Sequence, residues 1–281
     1  MNSYNENNLV EQTVIKLIQE LWGNSECYIN AYTDEDDAKL GRNNRGETVL
    51  TKYLRPALEK INARVDASAI DEALNEITRS RAHLSLIAAN QEVYALLRDG
   101  VSVAIRRSTG EMDSEKVRVF DFENPDNNNF MLVAQMWITG PIYTKRPDLI
   151  VFVNGIPLIN IELKSVEKNL KDALTDNITP YKESIPQLYW YNMGLIISNG
   201  IENKFGSITS PFEYFNDWKK VASEDDETKN DITTIIKGVC DKARILDIFE
   251  NFVLFDTGKG KVSKIVPRYF QYYGVNRAFE N

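Results

Sequence analysis

Apolar residues recur at helical spacing in the first third of this chain and at strand spacing in the middle third. In 8–22, Val10, Val14, Leu17, Ile18 and Leu21 mark one face of a helix that Asn7 and Asn8 are placed to cap. The polar, acidic stretch 33–46 reads as a surface loop. A second helix is predicted over 47–62, with Pro56 kinking or interrupting it. Asp66 can cap a third through Ile70, Leu74 and Ile77, and a fourth runs over 84–98 until Gly100 stops it. Then β-branched and aromatic residues dominate. Segments 101–107, 116–122 and 129–138 read as strands, separated by Ser108, Thr109 and Gly110 and by the Asn-rich turn at 124–129. Two apolar runs, 149–153 and 157–163, complete five candidate strands. A helix is predicted from 165 to about 178, a buried strand over 193–200, a solvated acidic run over 222–231, and a helix through Ile245, Ile248, Phe249 and Phe252. The predicted class is α/β: a mixed, mostly antiparallel sheet flanked by helices, behind an N-terminal helical region.

Composition narrows the chemistry. With 281 residues, 43% hydrophobic and 26% charged, the chain suits one large globular domain or two small ones. No purely apolar run exceeds five residues, as at 149–153, which is too short to span a bilayer, and the polar start lacks the pattern of a signal peptide. Cys27 and Cys240 are far apart and fit a reduced, cytoplasmic setting better than a disulfide scaffold. The single histidine, His83, lies in a polar stretch and reads as an ordinary surface or semi-buried residue. Zinc hydrolases with paired histidines and histidine-based nucleases are thereby excluded. A net charge of −8 argues against tight DNA binding by the chain alone. Either its basic residues cluster, or something else delivers the DNA.

The chemistry concentrates in 146–165, RPDLIVFVNGIPLINIELKS. Asp148 opens one apolar run; Glu162 and Lys164 close the next; Asn154-Gly155 between them is a hairpin signal. A two-residue loop alone would set Asp148 against Ile161, with Glu162 on the other side of the sheet. A three-residue loop, or a bulge of the same effect, sets Asp148 against Glu162. Their Cβ atoms would then be about 4.5–5.5 Å apart, with Lys164 on the same face and Ile159, Ile161 and Leu163 turned into a core. That register is the one predicted. Two facing carboxylates require a cation or a proton, and Mg²⁺, or Mn²⁺ in its place, is the natural hard-oxygen guest, with the Leu163 carbonyl as a further ligand. Lys164 would stabilise charge developing on a phosphate. The bland alternative is an exposed strand end that happens to carry two acids and a lysine.

The stretch resembles the PD-(D/E)xK nuclease motif, with Pro147-Asp148 and Glu162-Leu163-Lys164 in the motif positions. With DFENPDNNNFMLVAQ upstream, LIISNG downstream, and LRPALEKIN and LLRDGV in the helical region, nearly the whole chain resembles the nuclease domain of type I restriction subunits. The resemblance implies a restriction-endonuclease-like core that cuts double-stranded DNA, joined to an ATP-driven motor and assembled with modification and specificity subunits. It implies a nuclease domain over 1–252, made of a helical region at 1–100, a sheet core at 101–200 and a helical end at 201–252. The opening of a motor would follow over 253–281. Gln271 would there sit in an adenine-contacting motif. No GxxxxGK[ST] is present, so ATP belongs only to a longer protein. The family's Gln-x-x-x-Tyr motif appears as Asn177 to Tyr181, one methylene shorter and with Pro180 set to distort the helix. An acid of the first helix often joins the metal site in this class; Glu11 is the best candidate, with Glu20 and Glu47 behind it. Lys145, Arg146, Lys168 and Lys171 flank the site as candidate phosphate contacts, and Gln135 faces the same region. Two rival readings remain open: another nuclease of the superfamily, such as a repair enzyme or resolvase, and a non-catalytic module that docks a DNA translocase.

Overall fold

The computed structural model describes residues 3–106, 112–223 and 225–280. Its centre is a six-stranded sheet whose spatial order follows the chain: β1 (Tyr28–Asn30), β2 (Phe130–Ala134), β3 (Leu149–Val153), β4 (Ile156–Leu163), β5 (Gly194–Ser198) and β6 (Asn203–Gly206). The β1–β2 and β4–β5 pairs are parallel; the other three are antiparallel. Consequently β1, β2, β4 and β5 end, and β3 begins, at one edge of the sheet. Each parallel step needs a crossover. Between β1 and β2 it is made by helices Thr51–Ile61, Ala67–Thr78 and Leu86–Asp99; between β4 and β5, by the helical segment 173–189.

Both sheet faces are covered, so the central strands read as continuous apolar runs rather than alternating ones. On one face Leu132, Val151, Ile159, Ile161 and Leu163 pack with Val14, Ile15 and Ile18 of the first helix, Ser3–Trp22, and with Ile235 and Ile236. On the other, Met131, Val133, Ile150, Phe152, Leu195 and Ile197 pack with Leu174, Ile178, Ile185 and Leu188. This is the predicted mixed sheet between helices. The caps at Asp66 and Ser85 and the stop at Gly100 account for the bounds of two crossover helices.

Several elements differ from the sequence-based expectation. Segment 101–106 pairs with 112–117 as a separate ribbon, so two of the five candidate strands lie outside the sheet, and the second of them sits upstream of 116–122. The turn expected at Ser108, Thr109 and Gly110 lies outside the described residues. The first helix begins at Ser3, leaving Asn7 and Asn8 inside it, and Thr51–Ile61 continues through Pro56. The loop 33–46 carries short helical turns at Asp34–Asp37 and Ala38–Leu40. The helix after Lys164 starts only at Lys171 and widens into a π-helical turn over Ala173–Ile178. Pro180 follows at the head of the next helix, where its missing N–H breaks the regular ladder, so the distortion expected there is present.

The register of β3 and β4 places the acids. Val153 stands opposite Ile156, a two-residue turn, with Asn154 at φ 51 and Gly155 at φ 76. The pairing then shifts: Phe152 faces Pro157 but Val151 faces Ile159, so Leu158 is an extra, bulged residue. The turn is buried rather than exposed. Asn154 donates to the Val119 carbonyl at 2.9 Å, and a Cβ at Gly155 would collide with the Leu50 carbonyl oxygen.

Candidate functional site

Past the bulge the pairing runs Leu149 to Ile161, and its continuation sets Asp148 against Glu162. The predicted juxtaposition is present, reached through a short turn plus a bulge. Asp148 is half-buried and accepts the Leu163 N–H at Oδ2, 2.8 Å. Its backbone carbonyl accepts the Gln135 N–H at 2.8 Å, which fixes the end of β2 to the start of β3. Glu162 is completely buried. One of its oxygens accepts from the Asn177 amide; the other, Oε2, is buried with no donor. Burial, and then the Asp148 charge, raise the Glu162 carboxyl well above its usual range. Burial likewise raises Asp148, against the Leu163 N–H and the charges of Lys164 and Arg146. Two facing acids, one with a buried oxygen that no donor reaches, are the condition a bound cation relieves.

Asn177 links the acids to the lysine. Its carbonyl oxygen accepts from Lys164 Nζ while its amide donates to Glu162, and its NH₂ also lies 3.4 Å from the Tyr181 hydroxyl. From the wide turn, a side chain shorter than glutamine reaches both groups. Tyr181 is buried and donates to the Arg146 carbonyl at 3.4 Å; burial, with Glu162 and Asp148 nearby, raises its phenol strongly.

Glu11 of the first helix does arrive at this edge. Its Oε2 accepts the Gln135 amide at 2.7 Å, and burial is the main cause of its raised carboxyl, with Asp148 adding to it. Gln135 itself holds φ 55, a left-handed conformation that a non-glycine residue rarely adopts outside sites that need it. Among the described residues no three carboxylate, thiol or imidazole side chains gather closely enough to hold a metal. Glu11 is held on Gln135 and joins no such three-acid group among the described residues, so a metal would fit at the pair Asp148 and Glu162. The orphaned Glu162 oxygen is the observation behind that fit.

The remaining candidates divide plainly. Arg146 lies half-buried beside the site; Lys145 stacks near Tyr143, 5.8 Å from its ring centre. Lys168 and Lys171 are exposed. Glu20 is exposed, and Glu47 binds Asn43 and Asn44 in its own loop, so neither replaces Glu11. Gln271 accepts the Arg268 N–H at the head of the last helix. Sequence reasoning missed Tyr32 and Trp137, whose rings flank Arg146. Nothing in the spacing of an isolated Tyr and Trp signals that contact.

A mixed sheet carries an acid pair and an ammonium at one edge, and comparison with known proteins gives the family. The chain belongs to the type I restriction enzyme R protein N-terminus family, whose pattern matches residues 3–214. It is 35% identical over 286 aligned positions to the type I restriction enzyme HindI endonuclease subunit of Haemophilus influenzae, covering 99% of this chain and 26% of that protein. It is also 35% identical over 211 positions to the putative type I restriction enzyme MjaIXP endonuclease subunit of Methanocaldococcus jannaschii, covering 66% of this chain and 20% of the relative. The MjaVIIIP subunit of the same organism is 27% identical over 91% of this chain and 25% of its own length. The chain thus spans about a quarter of the length of these relatives. No helix among the described residues is long and apolar enough to cross a membrane.

Proposed function

We propose that this chain is the nuclease portion of a type I restriction subunit, of the PD-(D/E)xK kind, and that it hydrolyses phosphodiesters of double-stranded DNA with Mg²⁺. The observation that carries the reading is Asp148 opposed to Glu162, with one Glu162 oxygen buried and unpartnered, and Lys164 tied to the pair through Asn177. Asp148 and Glu162 would hold the metal, with the Leu163 carbonyl as a third oxygen. A bound Mg²⁺ supplies polarisation of the phosphate and a water of lowered pKa. Asn177 holds Lys164 at the acid pair, so that its ammonium meets the charge that grows on the phosphate oxygens. Tyr181 orients Asn177 from behind. Lys145, Lys168 and Lys171 would contact the flanking backbone.

Residues 253–281 would lead into an ATP-driven motor, with Gln271 at its adenine site, and modification and specificity subunits in the cytoplasm would supply recognition. That division of labour accounts for a net charge of −8 on a protein that acts on DNA. Titration calorimetry of this chain with Mn²⁺ tests the metal: binding is expected in the wild type and lost in Glu162→Gln. No heat in the wild type would favour a docking module without catalysis.

A further inference from the structure

Arg146 is held in an unusual way. Its guanidinium carbon lies 4.7 Å from the ring centre of Tyr32 and 5.0 Å from that of Trp137. Trp137 is itself fixed. Its indole N–H donates to the Tyr32 carbonyl at 3.0 Å, and its own carbonyl accepts from Arg42, a side chain buried in an ion pair with Asp37. The topology explains why these groups meet. Tyr32 follows β1 and Trp137 follows β2, which run parallel, while Arg146 precedes β3, which starts at the same edge. Arg146 lies two residues before Asp148, near enough for its charge to oppose the rise of that carboxyl. No ion pair of Arg146 occurs among the described residues. Ring contacts engage the faces of a guanidinium and leave its edge N–H groups unspent, and those edges match a phosphate's two oxygens. A second guanidinium, Arg45, stands 5.8 Å from the Trp137 ring, paired with the exposed Asp34.

We infer that Arg146, held by Tyr32 and Trp137, binds a DNA backbone phosphate beside the acid pair, with the two aromatics as positioning residues. The inference rests on the nuclease reading above, since it takes DNA as the substrate. The bland alternative is that Arg146 only balances the charges of Asp148 and Glu11.

Binding of a short fluorescent DNA duplex to this chain, with Ca²⁺ in place of Mg²⁺ to prevent cutting, separates the two across a salt series. Arg146→Met should weaken binding several-fold and make the slope of log affinity against log salt shallower by about 0.9, one phosphate contact. Arg146→Lys should keep the slope and lose some of the affinity. Trp137→Leu should weaken binding with the slope unchanged. Mn²⁺ binding by calorimetry should be retained in all three variants. Unchanged affinity and slope in Arg146→Met, or loss of Mn²⁺ binding in that variant, would overturn the inference while leaving the nuclease reading intact. A wild type that binds DNA with the expected Arg146 dependence but takes up no Mn²⁺ would sink the nuclease reading alone. A wild type that binds no duplex even at low salt would overturn the inference and leave the nuclease reading to the Mn²⁺ titration.

Discussion

Alanine at Asp148, Glu162 or Lys164 will lower DNA cleavage by on the order of 10³-fold or more, the scale of losing one positioned charge-stabilising group. The proper setting is the full-length subunit assembled with its partners, scored by linearised plasmid, with ATP hydrolysis as the control that should not change. The three losses have different physical origins. Asp148→Ala removes one carboxylate of the pair and the acceptor of the Leu163 N–H. Glu162→Ala empties a fully buried position and leaves the Asn177 amide without its acceptor. Lys164→Ala leaves the acid pair intact but frees the other end of Asn177. Metal binding should therefore survive in Lys164→Ala and fail in the other two. Wild-type cleavage by Asp148→Ala would refute the assignment of the acids.

Glu162→Gln will make the metal-free protein's stability less dependent on pH, and more stable at high pH. The carboxyl of Glu162 is raised in the folded protein by burial and by Asp148. The folded state thus holds a proton that the unfolded chain releases near pH 4.5, the ordinary value for this side chain. Its contribution is fully present below that pH and is lost as the pH climbs toward the raised folded value. The loss is about 1.4 kcal/mol per pH unit between the two. Urea unfolding in EDTA at pH 5 and pH 8 should show a stability decline in the wild type that the variant largely lacks. Asp148, also raised, supplies the smaller remainder. The glutamine keeps the oxygen that accepts from Asn177, so the fold should survive. Added Mn²⁺ should reverse the wild-type decline and do nothing for the variant. An identical pH profile in both proteins would mean that Glu162 is already ionised and compensated.

How much of this was legible in the sequence depended on where tertiary contact intervened. The apolar runs before and after Asn154-Gly155 identified β3 and β4, because both are buried on two faces. The parity needed to oppose Asp148 and Glu162 was legible too. Whether a longer loop or a bulge supplied it was not, since both give the same facing and Leu158 carries no mark of its place. The strand Tyr28–Asn30 is three residues long and exists through its parallel pairing with β2, so no local periodicity announces it. The strand Met112–Val117 is polar and half-exposed, and the aromatic stretch just after it was the stronger lure. The family spacing pointed to Asn177 and Tyr181. That Asn177 would grip Glu162 and Lys164 together depends on the π-helical turn, which follows from Pro180 only once the helix is packed. Gln135 is not a residue type that signals left-handed backbone, so its place between Glu11 and Asp148 emerged only from the fold.

The most direct test of the acid pair is an anomalous difference map from crystals of this chain soaked in Mn²⁺. One peak within coordination distance of both the Asp148 and Glu162 carboxylates is predicted, with Glu162 Oε2 among its ligands. A map with no peak between those two side chains, or with the metal held elsewhere, would contradict the account.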